Sequence, residues 1–144
     1  MTSLTQKTPW HLWAVGVVAI LWNAVGCFDY FMTMTKGDVY MAAAGMTEAQ
    51  IAFMNHSPAW MTAVWAIGVW GGLLGGVLLL LRNKLAVPVF IVSLASYVLS
   101  LIHNLVISPM PDASEQFVMF VIIFAGCVFF MWYSMRAKNN GLLR

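Results

Sequence analysis

The sequence predicts an all-α integral membrane protein, a four-helix bundle with one short interfacial helix in its first outer loop. Three observations carry this. Of 144 residues, 62% are hydrophobic and only 8% are charged, against about 25% charged in soluble domains. Charge-free runs cover 8–28, 49–81, 85–111 and 116–135, and each can hold the roughly 20 apolar residues that cross a bilayer. Basic and acidic residues also alternate between successive connections. Little chain is left for a water-soluble catalytic domain. A net charge of +2 without a clustered basic face argues against a nucleic-acid partner.

The spans are expected at about 10–34, 60–81, 85–107 and 115–135, within one domain covering 1–144. Lys7 precedes span one, Arg82 and Lys84 lie between spans two and three, and Arg136, Lys138 and Arg144 come after span four. Asp38, Glu48, Asp112 and Glu115 fall with Lys36 in the two opposite connections, and Asp29 lies near that end of span one. The positive-inside rule therefore predicts both termini in the cytoplasm. Trp10, Trp13, Trp132 and Tyr133 at one level and Tyr30, Tyr40 and Trp60 at the other mark the two interfaces that aromatic rings prefer. Span one is too long for the core of a cleaved signal and reads as an anchor, so a bacterial inner membrane is the expected location.

Thr47 and Gln50 have the spacing of a capping box, and Pro58 sets a boundary before span two, which predicts a short helix from Glu48 to about Asn55. Its Ile51, Phe53 and Met54 would lie on the membrane surface or over the bundle mouth. Pro88 suits a first helical turn. Cys27 and Cys127 are expected at different depths, as two free thiols.

Span two carries Gly68, Gly72 and Gly76 at steps of four, flanked by Gly71 and Gly75. Lipid gives no hydrophobic drive between helices, so small residues that permit close backbone approach are a main source of association. This groove takes either a helix of the same chain or another subunit. Gly16, Ala19, Asn23, Gly26, Cys27 and Tyr30 make the inward stripe of span one, with Asn23 expected to bond to another helix.

Ser93, Ser96, Tyr97, Ser100, His103 and Asn104 share one face of span three. That face reads either as helix-to-helix hydrogen bonding or as a polar cleft open to the outside. Asp29 and His103 lie at matching depth, and an ionisable residue in hydrocarbon is a candidate functional site unless it reaches water or a partner. Three readings stand: both at the interface, a structural pair, or a proton-coupled or ligand site. Eight of the eleven methionines fall in the outer half. Thioethers suit Cu(I), with His56, His103 and Met54 as the conceivable ligands, but they also fill irregular packing gaps. No CxxC, HxxxH, P-loop, GxSxG or HExxH occurs, so neither a metal site nor an enzyme is assigned and no cofactor is identified.

The runs LWNAVGCFDYFMT, PAWMTAVWAIGVWGGLLGG and LRNKLAVPVFIVSL, within residues 10–107, resemble small uncharacterised four-span inner-membrane proteins of proteobacteria, a group loosely labelled sugar transporters. The shared motifs are packing and interface residues. The small multidrug transporters have a similar size and an acidic residue in span one, but theirs lies near mid-membrane. Three functions stand as expectations: an accessory or structural subunit of a larger membrane assembly, presenting the glycine groove to a partner; a small-solute or proton-coupled transporter acting as an oligomer; and an outer-facing copper or cofactor-binding protein. The bilayer itself and other membrane subunits, or further copies of the chain, are the expected partners.

Overall fold

The computed structural model describes residues 7–144. The helices are α1 (Trp10–Lys36), α2 (Asp38–Ala43), α3 (Glu48–Asn55), α4 (Ala59–Leu80), α5 (Ala86–Ile102, prolonged by a π-helical turn His103–Ile107) and α6 (Ala113–Asn139). Four of them, α1, α4, α5 with its π turn, and α6, are long and apolar enough to cross a membrane. The protein is a multi-pass membrane protein built on an all-α bundle.

Helix α6 runs past both expected bounds, where Glu115 in its first turn and Arg136 and Lys138 in its last complement the helix dipole. Helix α2 is an element that the sequence pattern did not signal. It begins where Gly37, at φ 57°, ends α1, and it carries Asp38 in its first turn.

Consecutive spanning helices are neighbours: α4 packs between α1 and α5, α5 also packs on α6, and α6 approaches α1. Side-chain contacts of α1 with α6 run from mid-helix towards their basic ends. His11 bonds Tyr133, Trp22 meets Phe130 edge-on at 6.2 Å, and Trp22 lies over Gly126. The apolar core gathers in that half, around Leu12, Ala19, Leu79, Phe90, Phe130 and Tyr133. At the acidic end, Met41, Met61 and Met110 are buried among the connectors, the gap-filling use of a flexible thioether.

The glycines of α4 are occupied from within the chain. A Cβ on Gly75 would fall 2.8 Å from the Phe90 ring, and Gly68 and Gly71 face Ser96 and Ser93 of α5. Gly76 receives Ile20 of α1, and Gly72 receives the Asn23 amide. Gly72, Gly75 and Gly76 are thus closed by α1 and α5 from opposite sides, while Gly71 still borders a shallow apolar depression with Leu74, Pro88, Val89 and Val92. Asn23 also departs from expectation: its Nδ2 donates back to Ala19 O at 2.8 Å, within its own helix. Cys27 is buried and Cys127 half-buried, both as free thiols.

At the basic end the chain closes on itself. Arg82 adopts φ 56°, in the left-handed region where glycine is usual. Its amide bonds Leu79 O at 3.0 Å and the Asn83 amide bonds Leu78 O at 2.8 Å, so the two satisfy carbonyls left free at the end of α4. The tail then clamps this turn. Arg82 Nε donates to Leu142 O at 2.9 Å, while the Arg144 amide donates to Arg82 O at 2.7 Å and the Lys84 amide to Arg144 O at 2.9 Å.

Candidate functional site at the acidic end

Helix α5 changes pitch at His103. The Ser108 amide bonds His103 O at 2.8 Å, five residues back, and the Met110 amide reaches Asn104 O at 2.7 Å. Such single π turns recur at functional sites because the widened turn re-aims the side chains on it. His103 is only 5% exposed although it lies near the end of its span. Trp60, at the start of α4, stands edge-on to its ring at 5.3 Å, and Phe53 of α3 lies 6.3 Å away. Two aromatic walls and a widened helical turn thus hold one imidazole.

His103 Nδ1 lies 3.0 Å from Asn104 Oδ1. With that oxygen as acceptor, Nδ1 carries the proton, and in the neutral ring Nε2 keeps its lone pair. The site can bind an electrophile through one nitrogen while the other fixes the tautomer.

Helix α3 lies over this histidine. Thr47 Oγ accepts from the Gln50 amide at 3.2 Å, and Gln50 Oε1 accepts from the Thr47 amide at 3.1 Å. This is the expected capping box, on a helix with the expected bounds Glu48–Asn55. Gln50 does more than cap. It is 2% exposed, and its Nε2 donates to Pro111 O at 3.3 Å, fastening α3 to the α5–α6 connection. Of the two positions expected for this helix, it takes the one over the bundle mouth.

Asp29 does not join His103. Its side chain is exposed and accepts a hydrogen bond from Tyr40 Oη at 2.8 Å, and α4 packs between the helices that carry the two residues. The sequence leads to an expectation of equal depth, and it carries no information on angular position around the bundle. The same contact pushes the Tyr40 phenol above its ordinary range, first through the hydrogen bond to the carboxylate and then through burial and the Asp29 charge. Asp38 on α2 accepts from Asn55 Nδ2 on α3 at 2.8 Å, so the whole connector is pinned by side chains.

The polar stripe of α5 does not converge on one cleft. Ser93 Oγ donates to Gly68 O of α4 at 2.7 Å. Tyr97 Oη donates to Phe120 O of α6 at 2.9 Å. Ser100 Oγ bonds back to Ser96 O at 3.1 Å. Only His103 and Asn104 of the six candidate residues are brought together as a site. Of the other conceivable copper ligands, His56 is exposed and bonds its own helix at Ala52 O, 2.7 Å away. Among the described residues no three of His, Cys, Asp and Glu cluster as a metal site would require.

The residues that sequence reasoning missed are Trp60, Phe53, Gln50 and Tyr40 as partners of the candidates. The Thr47 to Gln50 spacing was the one signal that pointed towards them. No family model, no curated protein and no solved structure matches the chain.

Proposed function

We propose that the protein is a non-enzymatic accessory or structural subunit of a larger membrane assembly. It would sit in a bacterial inner membrane with its basic end, and both chain ends, on the cytoplasmic side. The observation that carries this reading is that Ser93, Tyr97 and Ser100 each donate to a helix carbonyl, so three of the four hydroxyls on the α5 stripe serve to hold helices. The glycines of α4 serve intrachain packing, so the partner would dock on another lipid-facing surface. Helix α6 suits that role, since it packs mainly on α5 and meets α1 only from mid-helix to its basic end. Purification from native membranes in mild detergent tests the proposal. A second membrane protein in fixed ratio is expected, and isolation of this chain by itself would sink the reading.

A second reading has one observation in its favour, the buried His103 on a π turn. It makes the protein a proton-coupled or small-solute transporter acting as an oligomer, or a membrane protein that ligates a cofactor through Nε2. In proteoliposomes, His103→Ala would then abolish flux or cofactor retention while expression holds. Asp29→Asn would have little effect, since Asp29 faces away from that site.

A further inference from the structure

We infer that the basic end of the bundle holds the phosphate of an anionic glycerophospholipid, in a depression between the start of α1 and the end of α6. The hollow has a volume of about 380 Å³ and is lined by Lys7, Pro9, His11, Asn140 and Leu142. Its lining supplies one ammonium, one imidazole and one amide beside two apolar walls. That is the division a phosphodiester on a glycerol backbone requires.

Three further observations favour a lipid occupant. First, charge is segregated: all five Asp and Glu residues lie at the opposite end, and six of the seven Lys and Arg lie at this one. Lys7 therefore has no acidic side chain at its own end to neutralise it. Second, depth is right. Trp10 is 78% exposed, Trp13 48% and Trp132 50% around this end, and such rings settle at headgroup level. Third, the hollow is built on fixed walls. His11 is held by its bond to Tyr133, and Leu142 by the bond from Arg82 Nε to its carbonyl. The first turn of α1 has no acidic residue and no side-chain cap, which adds a positive helix end to the same wall.

The test uses the full chain, purified in neutral detergent. Its thermal unfolding is monitored while phosphatidylglycerol, phosphatidylcholine or inorganic phosphate is titrated in. Phosphatidylglycerol should raise the midpoint saturably, and phosphatidylcholine should not. Lys7→Gln should weaken half-saturation about fivefold and Lys7→Glu further, as expected for loss of one basic residue at a lipid surface. Lys36→Glu, at the acidic end, should leave it unchanged. Lys7 is exposed, so both substitutions at that position should leave the unliganded midpoint in place. Equal lipid response in wild type and Lys7→Gln would overturn the site, as would equal weakening by Lys36→Glu. Saturation by inorganic phosphate at the same concentration would overturn the lipid as its occupant.

Discussion

The Asn23 amide of α1 sits directly against Gly72 of α4. Its amide nitrogen donates to its own helix carbonyl at Ala19, and the amide group fills the space that a Cβ on Gly72 would take. Small-to-large changes along α4 should separate the glycines into two groups. Gly72→Ala would drive a Cβ into Asn23, and Gly75→Ala would drive one into Phe90. Each should cost about 1–3 kcal/mol, the usual cost of overpacking. Gly71→Ala meets nothing closer than 3.9 Å and Gly68→Ala nothing closer than 3.7 Å. These two should be neutral, or stabilising by up to about 1 kcal/mol through helix propensity. Unfolding midpoints in detergent check the ordering, which fails if all four substitutions behave alike.

The Tyr40–Asp29 contact carries a pH dependence with a definite sign. The folded phenol titrates above its ordinary value, so the contribution is fully present below about pH 10, the free value. It is lost as pH rises through the higher, folded value. Protection of the α2 amides, taken relative to the base-catalysed intrinsic exchange rate, should hold at neutral pH and fall only in strong alkali. Asp29→Asn should bring the Tyr40 phenolate transition back towards its ordinary position, read as the difference in phenolate absorbance from Tyr40→Phe. An unchanged transition would dissolve the link.

Gln50→Ala removes one half of the capping box together with the tie to Pro111. The loss should be about 1–2 kcal/mol, the range for a capping residue. It should appear first as faster protease cleavage around Gly45 to Pro58. Gln50→Glu retains the acceptor for the Thr47 amide and discards the donor to Pro111, so an intermediate susceptibility is expected. If Gln50→Ala is cleaved at the wild-type rate, α3 is not held by this residue.

His103→Ala leaves Trp60 and Phe53 facing a vacated space and should destabilise the acidic end by about 2–4 kcal/mol, as other large-to-small substitutions of buried rings do. His103→Phe keeps the volume and should recover most of that stability. Any ligand binding or proton coupling through Nε2 would stay lost in the phenylalanine variant. Stability and flux measured on the same two variants therefore separate a packing ring from a working imidazole.

The features legible in the sequence were local or compositional. The spans derive from apolar length, and α3 derives from a capping pair three residues apart, an interaction closed within one helical turn. Arg82 was legible as a charge but not as a helix stop, because it takes a backbone region usually given to glycine, and only the tail bonds reveal why it holds there. His103 could be placed near the end of its helix but not by its neighbours. Trp60 and Phe53 are distant in the chain, and the rotation of α5 about its axis is set by how Phe90 and Ser93 meet α4. The choice between own-chain and partner packing for the glycine groove was undecidable for the same reason. A repeat of small residues defines a notch, and leaves its occupant open.

The clamp of Arg144 and Leu142 around Arg82 has a bearing on biogenesis. Helix α6 is fastened through the residues that follow it to a bend made earlier in translation, so its docking should wait until that bend has formed. A bulky fusion appended after Arg144 would pull on this clasp, whereas one placed ahead of Lys7 would spare it.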